Sequence, residues 1–252
     1  MFEAMKLVIV LAASLIPVGL HAQTSIDGFE LADNETRVLS AAEGHENLIL
    51  GFLKMGENST LIVPDNFEKW HVYIQEVEAK FGARIVASGR NGANVSGTPA
   101  TPKTHPKCSK KGAFGARGSD SLKGQDGAHG VPLIIQMGVK DIEALSIISD
   151  GGNGGASGNG GMGGKGGRGS CNRRCNGETG GTGGSALQSN GGYGGSIRLE
   201  FWFVDGADTD TNPAPGITLS SNGGLAGPIG SAGAGGLGGN RKSCPWPATN
   251  RA

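Results

Sequence analysis

Between Gly151 and Gly167 glycine fills two of every three positions, leaving Asn153, Ala156, Asn159, Met162 and Lys165, then Arg168, as the variable residues, with Ser157 the one departure. The rhythm resumes after Asn172-Arg173-Arg174 through Gly180, Gly181, Gly183 and Gly184 to Gly191, Gly192, Gly194 and Gly195. A three-residue period matches the left-handed extended helix, with a rise of about 3.1 Å and no internal hydrogen bonds. Such a backbone must find partners outside itself. Two bare faces let neighbouring helices approach closely enough to exchange N–H to C=O bonds and Cα–H contacts. The pattern therefore predicts a bundle of polyglycine-II helices in which the backbone itself is the core. On this reading the 48 glycines among 252 residues are packing material. Hydrophobic residues at 37% and aromatics at 5% are too few for a conventional layered core spanning the whole chain. A collagen triple helix wants proline at roughly 15–20%, and these arms are almost free of it. A disordered glycine linker does not account for the strict phase.

The arms grow out of a longer repeat of about 60 residues, in blocks 71–130, 131–195 and 196–252. Each block opens on an alternating apolar stretch: Val72-Tyr73-Ile74-Gln75, Leu133-Ile134-Ile135-Gln136 and Ile197-Arg198-Leu199-Glu200-Phe201-Trp202-Phe203. Period-two alternation rich in β-branched and aromatic residues reads as a strand. A connector and a second strand follow, ending in Ala87-Ser88-Gly89, Ser149-Asp150-Gly151 and Ser221-Asn222-Gly223. The unit is strand, connector, strand, glycine arm out, tip, glycine arm back. Block one's return arm keeps Gly112, Gly115, Gly118, Gly124, Gly127 and Gly130, with Ser121 in the missing place, and block three repeats the rhythm from Gly224 to Gly239. The predicted fold class is mainly β and irregular, with strand pairs alternating with polyglycine-II arms and little α-helix. Residues 23–70 are expected to form a cap or mounting segment with some β, within which Leu61-Ile62-Val63 is a partial unit.

Lys6, the apolar run Leu7 to Leu15 and a small residue at Ala22 read as a secretory signal peptide over residues 1–22. The apolar run is shorter than the roughly 20 residues a membrane span needs. An exported, secreted or periplasmic protein is expected, and in that compartment cysteines form disulfides. Cys108, Cys171, Cys175 and Cys244 all fall at arm tips, where bridges would clamp the bundle. Cys108–Cys171 with Cys175–Cys244, and Cys171–Cys175 with Cys108–Cys244, both remain open. With 22 basic and 22 acidic side chains the chain has no net charge that would point to nucleic acid or an anionic membrane.

Chemistry-bearing motifs are sparse. Gly163-Gly164-Lys165-Gly166 lacks the Ser or Thr that follows the P-loop lysine, and no nucleophile elbow is present. Asp205, Asp208, Asp210 and Asn212 are a weak calcium candidate, because Pro213 and Leu219 replace the turn glycine and closing glutamate of an EF-hand. No enzyme activity, cofactor or further metal is expected. Lys110, Lys111, Arg173, Arg174, Arg241 and Lys242 place basic charge at the tips beside Trp246, a surface suited to phosphate or acidic sugars.

From Val72 to Gly239 the chain resembles secreted bacterial glycine-rich, collagen-like proteins with polyglycine-II arms. The resemblance rests on Gly151-Gly152-Asn153-Gly154-Gly155 and its continuation, on Gly223-Gly224, and on Gly124-Gln125-Asp126-Gly127-Ala128-His129-Gly130. The core is also similar to the tip adhesins of long phage tail fibres and to the snow-flea antifreeze protein. The adhesin resemblance implies that loops at the far end of the bundle select a receptor, here Thr98 to Lys111, Ser170 to Asn176 and Asn240 to Ala252. A signal peptide departs from a phage structural protein. The expected function is a non-enzymatic recognition protein at the cell surface, presenting tip loops to a glycan or envelope protein. An ice-binding protein and a purely structural envelope protein are the alternatives. Ice binding wants a flat face of small residues, and Asn159, Met162 and Lys165 do not supply one.

Overall fold

A computed structural model describes residues 24–40, 44–96, 114–167, 178–205 and 216–240. Ten strands occur in it: β1 (Thr24–Leu31), β2 (Thr36–Val38), β3 (Asn47–Met55), β4 (Thr60–Ile62), β5 (Trp70–Ala79), β6 (Ala83–Val86), β7 (Leu133–Ile142), β8 (Leu145–Ile148), β9 (Ile197–Phe203) and β10 (Ile217–Ser220). The odd strands form one sheet in the order β1-β3-β5-β7-β9, the even strands a second in the order β2-β4-β6-β8-β10, and every pair is parallel. No α-helix occurs among the described residues. The chain thus coils like a solenoid, passing from one sheet to the other and back. The two strands of each block lie in different sheets, and each pairs with its counterpart in the neighbouring blocks. Parallel pairing requires this, since two strands joined by a short connector cannot run side by side in one direction.

Residues 24–70 contribute to the same sheets. Thr24 sits beside Leu48 and Asn47 beside His71, while Thr36, Thr60 and Arg84 share a row. These early coils repeat every 24 residues and carry no arms. Their corners repeat too. Asn34 (φ 61°), Asn58 (φ 54°) and Gly82 (φ 78°) occupy equivalent places in the left-handed region, which Asn and Gly tolerate best. Longer spacings appear only where arms are inserted: Trp70 lies beside Leu133, and Leu133 beside Ile197.

Between the sheets lies an apolar core. Leu48, Leu50, Leu53 and Met55 of β3 and Trp70, Val72, Ile74 and Val77 of β5 face Leu61, Val63, Ile85 and Ile147 of the second sheet, all buried. Each such side chain is worth about 1.5–3 kcal/mol of burial. Trp70 donates its indole N–H to the His45 carbonyl at 3.0 Å, so the largest core residue leaves no polar atom unpaired. A conventional core therefore exists, confined to the solenoid; the low overall apolar content reflects the arms, which dilute it.

The arms extend from the solenoid as 89–96, 114–130, 151–167, 178–195 and 223–240. Outgoing arms run parallel to one another. Gly89 donates to the Asp150 carbonyl and Gly92 to Asn153, and along the next interface Gly151 donates to Asn222, Gly154 to Leu225, and so on every third residue to Gly166 and Leu237. Return arms run antiparallel to these: Gly152, Gly155, Gly158, Gly161 and Gly164 donate to Ala128, Gln125, Leu122, Ser119 and Ala116. The third N–H of each triplet faces the surface. Polar side chains of the adjacent arm accept many of these, as Asn91 Oδ1 does from Asn153 (2.8 Å), Asn153 Oδ1 from Leu225 (2.8 Å) and Asp126 Oδ1 from Asn190 (2.7 Å). The variable position of the triplet is thus partly structural, because it closes the hydrogen-bond account of the neighbouring arm.

Glycine is needed in these arms for proximity. Among the described residues positive φ at glycine occurs only at Gly44 and Gly82. A Cβ on Gly163 would strike the carbonyl oxygen of Gly181, and one on Gly184 that of Ser119. The serines that interrupt the rhythm gather in one cross-section. Ser157 Oγ accepts the Gly124 N–H (2.9 Å), Ser121 Oγ accepts the Leu187 N–H (2.8 Å), and Ser189 Oγ donates to the Gly155 carbonyl (2.5 Å). Here the arm 178–195 slips by one residue. Ser121 N–H bonds to the Ser185 carbonyl but Gly127 N–H to that of Asn190, six residues on one arm against five on the other. Side-chain hydroxyls bridge the mismatch that the backbone cannot.

Candidate functional site

Cys108, Lys110, Lys111, Cys171, Arg173, Arg174, Cys175, Asp208, Asp210, Asn212, Arg241, Lys242, Cys244 and Trp246 lie outside the described residues. Asp205 is described, just beyond β9. The bonds Glu178 N–H to Gly167, Gly239 to Glu178 and Gly115 to Thr179 bring the ends of four arms to one level. The arm 89–96 is last described about a third of the way along its neighbour 151–167, where Val95 bonds to Ala156. No group of three or more His, Cys, Asp or Glu close enough to hold a metal occurs among the described residues.

The described residues bring together a different constellation, on the outer face of the first sheet. Outward positions alternate with the core positions along each strand. Register places Ile49, Tyr73, Gln136 and Glu200 in one row, and Asn47, His71, Ile134 and Arg198 in the next. Trp202 is the following outward residue of β9. It leans across β7 to stack on Tyr73, ring centroids 5.3 Å apart and planes at 28°. Gly138 makes this possible, since a Cβ there would lie 3.0 Å from the Trp202 indole nitrogen and would strike the Gln75 carbonyl. Beside the aromatic pair is a shallow cavity of about 300 Å³ lined by Leu48, Ile49, His71, Tyr73 and Gln136.

A polar rim borders it. Gln136 Nε2 donates to Glu200 Oε2 at 2.7 Å, and Arg198 Nε donates to Glu200 Oε1 at 2.9 Å. The Gln136 hydrogen bond, followed by that of Arg198, holds the Glu200 carboxyl below the usual carboxylate range. A depressed pKa keeps Glu200 charged, an acceptor for hydroxyl groups, and is opposite to what a general acid needs. Further along the same face Lys140 bridges Glu76 (2.7 Å) and Glu78 (2.9 Å). Flat aromatic surface, an amide, an imidazole and a carboxylate on a rigid sheet suit a ligand with one apolar C–H face and a rim of hydroxyls.

Sequence reasoning about binding passed over these residues in favour of the tips. The signal was present: Tyr73 and Trp202 are aromatics at positions that alternate with the core-facing residues Val72 and Ile74 of β5 and with Ile197 and Leu199 of β9. Their meeting depends on the 63- and 64-residue coil spacings, which the alternation alone does not convey. No helix among the described residues is long and apolar enough to cross a membrane. No protein-family model, curated protein or solved structure matches the chain.

Proposed function

We propose that this protein is an exported, non-enzymatic recognition protein that binds a cell-surface glycan, using a rigid scaffold in two parts. The observation that carries the reading is the Tyr73–Trp202 stack beside Gln136, Glu200 and His71 on a sheet backed by a fully buried core. A sugar ring offers the C–H face that stacks on such a platform and the hydroxyls that its rim accepts and donates. The second part is the bundle. Its five arms are polyglycine-II helices, a reading supported by the three-residue periodicity of their mutual hydrogen bonds and by glycines kept for proximity. The loops expected at Thr98 to Lys111, Ser170 to Asn176 and Asn240 to Ala252 would add a second, adhesin-like contact through their basic residues and Trp246, and their cysteines would clamp the arms. A signal peptide over residues 1–22 delivers the chain to the envelope or beyond.

The test is binding to purified envelope polysaccharides and to whole cells. Trp202→Ala and Tyr73→Ala should each weaken glycan binding about tenfold, equivalent to about 1.4 kcal/mol. Arg173→Ala/Arg174→Ala/Trp246→Ala should weaken attachment to cells. Unchanged binding in the Trp202 and Tyr73 variants would refute the sheet-face site, and unchanged attachment in the triple variant would refute the tip contact.

A further inference from the structure

The arms form two layers, with 89–96, 151–167 and 223–240 in one and 114–130 and 178–195 in the other. Each return arm nests between two outgoing arms, so among the described residues three outgoing arms are matched by two return arms. The lattice shows what a further return arm would bind. Within it, the Gly161 and Gly164 carbonyls accept from Gly184 and Gly181 (both 2.8 Å), and the Gly115 and Gly118 N–H groups donate to Thr179 (3.0 Å) and Thr182 (2.8 Å). One arm further along, the corresponding groups are the carbonyls of Gly233 and Gly236 and the N–H groups of Gly180 and Gly183. Among the described residues none of these has a partner. They line one groove between 178–195 and 223–240. Gly118, Gly161 and Gly164 are buried, whereas Gly180, Gly183, Gly233 and Gly236 are half-buried.

The groove is open only in its outer half. A Cβ on Gly154 would strike Ser189 Oγ and the Asn190 carbonyl, and one on Gly160 would strike the Gly184 carbonyl, all on the return arm. At the equivalent places of 223–240 the chain carries Ala226 and Ala232, with Ile229 between them, so side chains occupy the groove near the sheets. Farther out it carries Gly235 and Gly238. A Cβ on these would meet nothing nearer than the Gly181 oxygen at 3.8 Å and the Glu178 oxygen at 3.7 Å. The open part runs from Gly233 to Gly239, about 20 Å at the rise of a three-residue helix.

We propose that this groove takes a glycine-rich extended segment donated by another polypeptide, since neither 97–113 nor 241–252 carries glycine at every third position; the segment is about two triplets long, runs in the direction of the return arms and extends the described bundle by a sixth arm. Its backbone would accept from Gly180 and Gly183 and donate to Gly233 and Gly236, repeating the bonds already made one arm earlier. The occupant needs glycine at every third position at least. A Cβ on Gly181 or Gly184 would strike the Ala116 or Ser119 carbonyl of the preceding return arm, and the same contact recurs between the sixth arm and 178–195. This is strand donation carried from a sheet edge to a glycine lattice. It stands whether or not the outer sheet face binds a glycan.

The experiment titrates ¹⁵N-labelled protein with the nonapeptide (Gly-Gly-Asn)₃ and, separately, with (Ala-Ala-Asn)₃, following the Gly180 and Gly183 amides. Expected are saturable shifts of these two amides and about tenfold slower hydrogen exchange with the glycine peptide alone. The variant Gly235→Leu/Gly238→Leu should keep the amide spectrum of the rest of the bundle and lose the response. The proposal is overturned by unmoved amides at millimolar peptide, by an equal response to the alanine peptide, or by a response that survives in the double variant. It is equally overturned if both amides are already protected in the free protein, because the chain's own residues would then fill the groove.

Discussion

Gly163 and Gly235 occupy equivalent places in adjacent arms, and the same substitution at the two should have opposite effects. Replacing glycine by alanine at a compatible site stabilises by about 0.4–1 kcal/mol, because the unfolded chain loses freedom. At Gly235 nothing opposes this, the nearest atom to the new methyl being 3.8 Å away. At Gly163 the methyl would drive into the Gly181 carbonyl oxygen and lie 2.8 Å from the Gly236 nitrogen. Overpacking costs about 1–3 kcal/mol. Two bonds are then strained, Gly163 N–H to Ala234 (2.8 Å) and Gly236 N–H to Gly181 (2.7 Å), each worth about 1 kcal/mol. The net cost of Gly163→Ala is about 2–5 kcal/mol, a fall of roughly 4–18 °C in melting temperature for a chain of this size. Thermal unfolding by calorimetry, with hydrogen exchange at Gly160, Gly164 and Gly166 to place the loss in the bundle, measures it. If Gly163→Ala and Gly235→Ala shift the melting temperature alike, proximity is not why glycine stands in these arms.

Three further outcomes are expected. Asp120 and Asp126 are held below the usual carboxylate range, Asp120 first by the Ser185 backbone N–H and Asp126 first by Lys123 and then by the Asn190 N–H. A depressed folded pKa means stabilisation present at neutral pH and lost as pH falls below about 4. Amide exchange at Ser185 and Asn190 should therefore accelerate in acid, beyond the intrinsic rate, and Asp120→Asn/Asp126→Asn should flatten that dependence; an unaltered pH profile in the double variant would contradict it. Asn58→Ala should destabilise by about 1 kcal/mol and Asn58→Gly by much less, since the residue sits at φ 54°; equal denaturation midpoints would show that the corner does not depend on backbone conformation. Asn153→Ala and Asn159→Ala remove acceptors from the N–H groups of Leu225 and Ser231, both at 2.8 Å. Each should cost about 0.5–1.5 kcal/mol, and the two should add, being six residues apart on one arm. A double variant as stable as the parent would refute the capping role.

The strands that open each block, at 72–75, 133–136 and 197–203, and those that precede the arms are legible as alternation, because outward and inward parity is a local property of a strand. The arms are legible as a period of three for the same reason. Less visible were the armless coils of residues 24–70. They repeat in corner chemistry, at Asn34, Asn58 and Gly82, and in the core residues Leu39, Val63 and Ala87, a sparse signal that the louder glycine pattern hides. The interruptions at Ser121 and Ser157 could be seen in the chain as gaps in a rhythm. That they meet Ser189 at one level, where an arm slips by a residue, follows only from how far each arm travels before turning back.

The sequence by itself determined that the chain would alternate strands with glycine arms, since periods of two and three are written into neighbouring residues and enforced by sterics. Tertiary structure alone decided which strand lies beside which. The two strands of a block part into separate sheets because short connectors cannot make parallel pairs. That coiling sets Trp202 against Tyr73 across the bare backbone of Gly138. Among the described residues the same coiling sets three outgoing arms beside two return arms, and so a groove whose donors and acceptors no stretch of sequence, taken alone, would reveal.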